Sequence, residues 1–283
     1  MSSQYTRNVS MLLKRAGKLS RVLYLIEKSD IPAVSIPTVV VALAISGLPS
    51  VSLFIKGVIW NQLHLLAFET KNQILGLEED RIAKPHRPLP SGLISLEDAH
   101  ILYRCLLVCM WIAAFHCNTF VCTFAYTAAI TIYNEGGLAA FSGLKNVIGA
   151  FGLMCMCWGT TVTFANGEGL HSKRALAILI FGLIFSTTGH AQDFRDRSAD
   201  VVMGRKTIPL VLSQPLARWS LAVMIAAWTA GLIVFWQPPM VVSIAFAILG
   251  LRTLGGYLMS DEEKDDSVSS GYWAVTYWSS FLE

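Results

Sequence analysis

The fold class this sequence predicts is all-helical: a polytopic transmembrane bundle of about eight to nine spans around a central cavity. Three observations predict it. Of 283 residues, 54% are hydrophobic and only 14% are charged, against roughly 25% charged residues in soluble domains. Mean hydropathy is +0.53. The apolar residues are gathered into long runs, and about 20 such residues cross the ~30 Å hydrocarbon core as a helix. The net charge of +3 is too small to argue for nucleic acid, and the basic residues sit in loops rather than in one stripe. No obligate protein partner is implied; the lipid bilayer is the expected surrounding.

Residues 1–30 are basic and only weakly apolar. They lack the apolar core of a secretory signal and are expected at the cytosolic surface. Residues 31–283 read as a single domain. The first span, 31–47, is entered through Ile31-Pro32 and interrupted by Pro37. Pro49 marks a turn, and 51–70 is the second span. Pro85, Pro88, Pro90 and Gly92 end that helix in an ordered loop. Ser95 with Asp98 reads as a helix start for a third span, 99–116. A short connection leads to a fourth, 119–133, and a Gly-rich loop covers 134–145. The fifth and sixth spans, 146–165 and 175–192, are joined by a polar turn. The seventh is 216–236, Pro238-Pro239 is a turn, and the eighth is 240–259. Residues 261–266 are expected as a solvated acidic loop. Residues 271–283 are apolar and aromatic but too short to cross as a helix. The six cysteines fall in apolar segments without a zinc spacing and read as packing residues.

Two polar blocks interrupt this pattern. The first, residues 72–92, is NQILGLEEDRIAKPHRPLPSG; the second, 193–209, is DFRDRSADVVMGRKTIP. Ionisable groups at membrane depth are costly and mark working sites. Lys and Arg concentrate in the loops after even-numbered spans, so the positive-inside rule puts both blocks on the cytosolic side. In the second block Asp193, Asp196 and Asp200 are spaced by three and four, which gathers them on one helix face if the helix continues. Three carboxylates repel unless a cation sits among them, and hard oxygen donors favour Mg²⁺. In the first block Asn72 and Glu79 share a face if the helix continues, with Asp80 beside them, and Glu78 reads as a solvated bystander. Arg81, Lys84 and Arg87 are placed to clamp phosphate oxygens. His190, His64 and His116 read as packed histidines.

At these residues the sequence resembles the UbiA superfamily of intramembrane prenyltransferases. The family's N-D-x-x-D-x-x-x-D motif, followed by R-P-L-P-S-G, is matched by Asn72, Gln73, Gly76, Asp80 and then Arg87 to Gly92. Its D-x-x-D-x-x-x-D and G-x-x-T-x-P pattern is matched by Asp193, Asp196, Asp200, Gly204, Thr207 and Pro209. Two family aspartates are replaced here by Gln73 and Gly76, leaving Glu79 as a substitute ligand. The resemblance implies Mg²⁺-dependent ionisation of an isoprenyl diphosphate. Asp80, Asp196 and Asp200 are then the catalytic acids, and Asn72, Glu79 and Asp193 complete the metal set. The diphosphate set is Arg81, Lys84, Arg87, Tyr133, Lys145, Arg195 and Lys206. The altered first motif, with Tyr133-Asn134-Glu135 on the middle loop, resembles the fungal branch, which includes membrane-bound class I terpene cyclases. That branch implies farnesyl diphosphate as substrate and the endoplasmic reticulum membrane as location. Three readings stay open: a cyclase, an aromatic prenyltransferase, and a non-catalytic lipid-binding or transport relative. The intact second motif argues against the third. No polar cluster outside the diphosphate region is seen to position an acceptor, which favours the cyclase. Trp158 and Phe185 are the aromatic residues expected to line a cation pocket.

Overall fold

The structure is a computed structural model that describes residues 2–137, 142–202 and 204–279. Its described residues are helical almost throughout. The elements are α1 (Ser2–Glu27), α2 (Ile36–Ser46), α3 (Val51–Leu75), α4 (Leu77–Ala83), α5 (Leu96–His116), α6 (Phe120–Asn134), α7 (Ser142–Phe164) and α8 (Ser172–Thr188). The short α9 (Ala191–Arg195), α10 (Arg197–Val202) and α11 (Ile208–Val211) follow, and then α12 (Gln214–Trp236), α13 (Met240–Met259) and α14 (Glu263–Ser279). Six helices are long and apolar enough to cross a membrane, and α6 is a shorter apolar helix. A seventh candidate is the pair 13–27 and 31–46, bent by 58° through one wide helical turn at Ile31–Ser35.

Local chemistry sets the helix boundaries. Ser50 caps α3 by accepting a hydrogen bond from the Leu53 N–H at 3.4 Å. Ser95 caps α5 through the Asp98 N–H at 3.0 Å, satisfying a backbone donor that the first turn leaves open. Pro215 opens α12, where no backbone N–H is needed. Along α5 the side chains of Ile101, Val108, Ile112 and Phe115 are exposed; in a bilayer these apolar groups meet lipid rather than water.

Helix α7 is the central pillar, touching α2, α3, α6 and α8. In its span 67% of residues are buried, against 22% for α5 and α13 at the rim. Small residues let it come close to its neighbours. A Cβ at Gly159 would collide with the Trp60 ring, and Asn61 on α3 donates to the Thr160 hydroxyl at 3.2 Å. Such close backbones and interhelical hydrogen bonds replace the hydrophobic drive that lipid removes.

The C-terminal region corrects two expectations. The acidic stretch is only partly a solvated loop: Asp261, Glu262, Lys264 and Asp265 are exposed, but Asp266 is fully buried. Arg218 donates to both of its oxygens at 2.8 Å, and Arg197 adds a third bond at 3.0 Å. The last helix also begins earlier than its apolar residues suggest, at Glu263, because these ion pairs fix its first turn. It then packs on α9 and α13, where Trp273 donates to Thr188 at 3.0 Å. Residues 280–283 lie outside the described residues.

Candidate active site

Both polar blocks are broken helices. Helix α3 stops at Leu75 and α4 restarts at Leu77, with Gly76 between them. Helix α9 stops at Arg195 and α10 restarts at Arg197, with Asp196 between them. The expectation of one continuous face in each block is therefore corrected. Each break is followed by a buried acid paired with an arginine. Asp80 is buried and accepts two bonds from Nη1 of Arg87, at 3.1 and 2.9 Å. Asp200 is buried and accepts from Arg205 at 3.2 Å.

The Pro-rich loop explains how Arg87 reaches that position. Leu89 is buried against Ile74 and Ala99, and the Ser91 N–H bonds back to the Arg87 carbonyl at 3.0 Å. Gly92 then turns the chain at φ +72°, a conformation that favours glycine. In the second block Gly204 does the same at φ +64°, and the Arg205 N–H bonds to the Asp200 carbonyl at 3.0 Å.

Arg205 joins the two blocks. Its guanidinium pairs with Asp200 of the second block and with Glu79 of the first. On α7, Lys145 donates to Asp193 at 2.9 Å. Burial of the Asp200 carboxyl is the main influence on it and raises its pKa, with Lys145 and Arg205 pulling the other way. For Arg87 and Arg205 burial works against the charge, but the acids around them win and hold both pKa values above the usual guanidinium value.

A cavity of about 270 Å³ opens between these groups. At one end its wall carries Asn72, Glu79, Asp80, Lys84, Arg87, Tyr133, Lys145, Arg195, Asp196 and Arg205. At the other it carries Leu65, Tyr126, Ala129, Ile130, Leu153 and Met156. Phe185 lines it as well. Asp193 and Asp200 stand behind the wall, each against a lysine or arginine that does line it. Arg81 does not reach the cavity; it is exposed and pairs with Glu78 at 2.6 Å. Lys206 is exposed and away from the wall. Trp158 is corrected as a pocket residue: it packs into the core shared by α2, α7, α8 and α12. Gln73 is turned out of the site and donates to the Ile26 carbonyl at 3.0 Å.

The donors suit a hard cation. Asn72, Glu79, Asp80 and Asp196 line the cavity, and one buried oxygen each of Asp193 and Asp200 has no hydrogen-bond partner. Among the described residues no three such groups form a ready-made cage. Mg²⁺ usually takes one or two carboxylates together with substrate phosphates and waters, and the oxygen-bearing residues of this wall are of that kind.

One wall residue escaped the sequence reading. Glu69 lies one turn before Asn72 on α3, is 4% exposed, and faces the cavity. A single carboxylate inside an apolar span was the available signal. Asp30, at the bend before α2, also lines the wall.

The chain is 57% identical to the fumagillin beta-trans-bergamotene synthase of Aspergillus fumigatus over 258 residues, covering 90% of this chain and 89% of the relative. It is 28% identical to a diterpene cyclase of Hericium erinaceus, covering 70% of this chain and 65% of that protein. A solved UbiA homolog from Archaeoglobus fulgidus, bound to GPP and Mg²⁺, has the same fold at TM-score 0.66 and 14% identity, covering 93% of this chain and 99% of that one. The UbiA prenyltransferase family matches residues 34–279, so the chain belongs to the UbiA prenyltransferase family.

Proposed function

We propose that this protein is a membrane-bound class I terpene cyclase, which ionises farnesyl diphosphate and closes the cation into a sesquiterpene hydrocarbon. The observation that carries the reading is the two-ended cavity, cationic and acidic at one end and apolar at the other. Its 57%-identical relative, a bergamotene synthase, supports it. The excess of basic residues on the loops that hold both blocks supports a site facing the cytosol. A fungal branch membership supports the endoplasmic reticulum.

The residues divide the work. Arg87, Lys84, Lys145, Arg195 and Arg205 converge where a diphosphate would lie, and orient its oxygens. Asn72, Glu79, Asp80, Asp193, Asp196 and Asp200 would hold Mg²⁺ beside it. When bound, Mg²⁺ supplies positive charge that stabilises the leaving diphosphate. The allylic C–O bond breaks and its electron pair leaves with the diphosphate, where the basic clamp spreads the charge. The apolar end excludes water, so the cation survives to cyclise. Tyr126, Phe68 and Phe185 line the same cavity, and their rings would stabilise the cation.

Purified protein given farnesyl diphosphate and Mg²⁺, with no acceptor, should release diphosphate and a cyclic hydrocarbon detectable by gas chromatography. EDTA should stop the reaction and Mg²⁺ restore it. No hydrocarbon without an aromatic acceptor, and a prenylated aromatic with one, would replace the cyclase by a transferase.

A further inference from the structure

Helix α1 is the one long element that neither the cavity nor the bundle accounts for. Before Glu27 the chain has no acidic residue, while Arg7, Lys14, Arg15, Lys18 and Arg21 are basic. The last four of these side chains are exposed, and among the described residues none of them is paired with an acid. Lys14, Lys18 and Arg21 are spaced by four and three, which stacks them on one face of the helix. Ala16, Leu19 and Leu23, spaced by three and four, lie on the opposite face. That apolar face starts inside the protein, where Leu23 packs against the cluster that holds Val22, Ile26 and Leu65. It then runs out of the protein: Leu19 is 49% exposed, and Met11 and Leu13 beyond it are exposed too. A helix with apolar groups on one side and unpaired cations on the other suits the boundary between hydrocarbon and headgroups.

Its place on the bundle agrees with that. Helix α2 runs to the far end, where Arg174 at the start of α8 donates to the Ile45 carbonyl at 3.1 Å. Helix α1 stays at the end that carries the polar blocks. Its Ile26 carbonyl accepts from Gln73, the neighbour of Asn72, at 3.0 Å, and Glu27 accepts from Gln62 at 3.0 Å. The 58° bend takes α1 off the line of α2, and four cations drawn into hydrocarbon would be costly.

We propose that α1 binds anionic phospholipid headgroups of the leaflet on the polar-block side. Lys14, Arg15, Lys18 and Arg21 make the contacts, and Leu19 sinks into the acyl boundary. Of the proposed function this uses only the cytosolic orientation, because the cytosolic leaflet carries the anionic lipid. The two hydrogen bonds tie the end of α1 to α3, and Asp30 just beyond them lines the cavity. A helix held on the leaflet therefore steadies one side of the site.

The test places the intact chain in lipid nanodiscs, one set of phosphatidylcholine alone and one of phosphatidylcholine and phosphatidylserine in equal parts. Hydrogen–deuterium exchange is followed in peptides covering residues 10–24, with α7 peptides as the control for folding. In phosphatidylserine discs exchange over 10–24 should slow by about tenfold or more, since each basic residue adds to the attraction of an anionic surface, and α7 should not change. High salt should reverse the slowing by screening it. The variant with Lys14, Arg15, Lys18 and Arg21 all changed to Gln should exchange alike in both discs. If that variant does not fold, the lipid and salt dependence of the wild type decides. Equal exchange of the wild type in the two discs would overturn the proposal, as would a variant that slows as much as wild type. Slowing by inorganic pyrophosphate in phosphatidylcholine discs would overturn it as well, by making α1 a site for the soluble anion. The discs carry the same lipid on both faces and the readout involves no turnover, so failure of the proposed orientation or of the cyclase reading would not alter the result.

Discussion

Asp80 and Arg87 have two duties that single substitutions confuse. Both side chains are buried, 5% and 13% exposed, and removing one leaves the other charge uncompensated. Arg87→Gln should therefore lower thermal stability by about 3 kcal/mol as well as abolish turnover. The double variant with Asp80→Asn should recover most of the stability and none of the activity, as melting curves in detergent and product assays would show. Recovered activity would mean that the pair is only structural. The neighbouring acids separate more simply. Glu79 is 23% exposed and pairs with Arg205 across the two blocks, whereas Glu78 is 81% exposed and meets only Arg81. Glu79→Gln should then cut kcat/KM by at least about tenfold, the loss of a ~1.4 kcal/mol interaction, and Glu78→Gln should leave it near wild type. Equal losses would remove Glu79 from the site.

At the scale of the element, the second polar block depends on helices far from it in sequence. Helix α14 packs on α9, and the α13 residue Tyr257 donates to the Ala191 carbonyl at 3.0 Å. The Arg218–Asp266 pair that seats α14 is buried at 7% and 0% exposure. Asp266→Asn should cost about 3–5 kcal/mol, and activity should fall with stability, because α9 loses its support. Undiminished melting temperature would show that α14 docks by its apolar face alone. This element also marks the limit of what could be read beforehand. The apolar runs were legible because span length and hydropathy are local properties. The two polar blocks were legible because charge is rare in such a chain. The Arg218–Asp266 pair spans 48 residues, and no local pattern tells an acid that will be buried there from one left in solvent. The breaks at Gly76 and Asp196 were equally hidden, since spacings of three and four fit a continuous helix as well as a broken one. Trp158 was misplaced for a related reason: aromatic composition names the spans that can form a pocket, but packing decides which face turns inward.

The cavity belongs to the molecule as a whole, because three helices grade from polar to apolar in the same direction. On α3 the wall runs from Gly76 to Leu65, on α6 from Tyr133 to Tyr126, and on α7 from Lys145 to Met156. Lys145 and Met156 are eleven residues apart, about 16 Å of helix, so a prenyl chain with its diphosphate at the basic end would extend toward Met156. Leu65, Tyr126 and Met156 belong to one packed cluster with Ile130 and Cys155, and the three line the apolar part of the cavity. Depth at this end should set which prenyl chain is accepted. Met156 is 2% exposed and unbranched, so truncating it removes volume without exposing a polar group. Met156→Ala should cost about 2–5 kcal/mol of stability and leave the ionising groups in place. It should also raise kcat/KM for geranylgeranyl diphosphate relative to farnesyl diphosphate by about tenfold or more, the scale at which an apolar pocket discriminates methylene-sized differences. Competition between the two substrates, read from the hydrocarbons formed, measures that ratio directly. If the ratio is unchanged while total turnover survives, chain length is set by some other part of the wall.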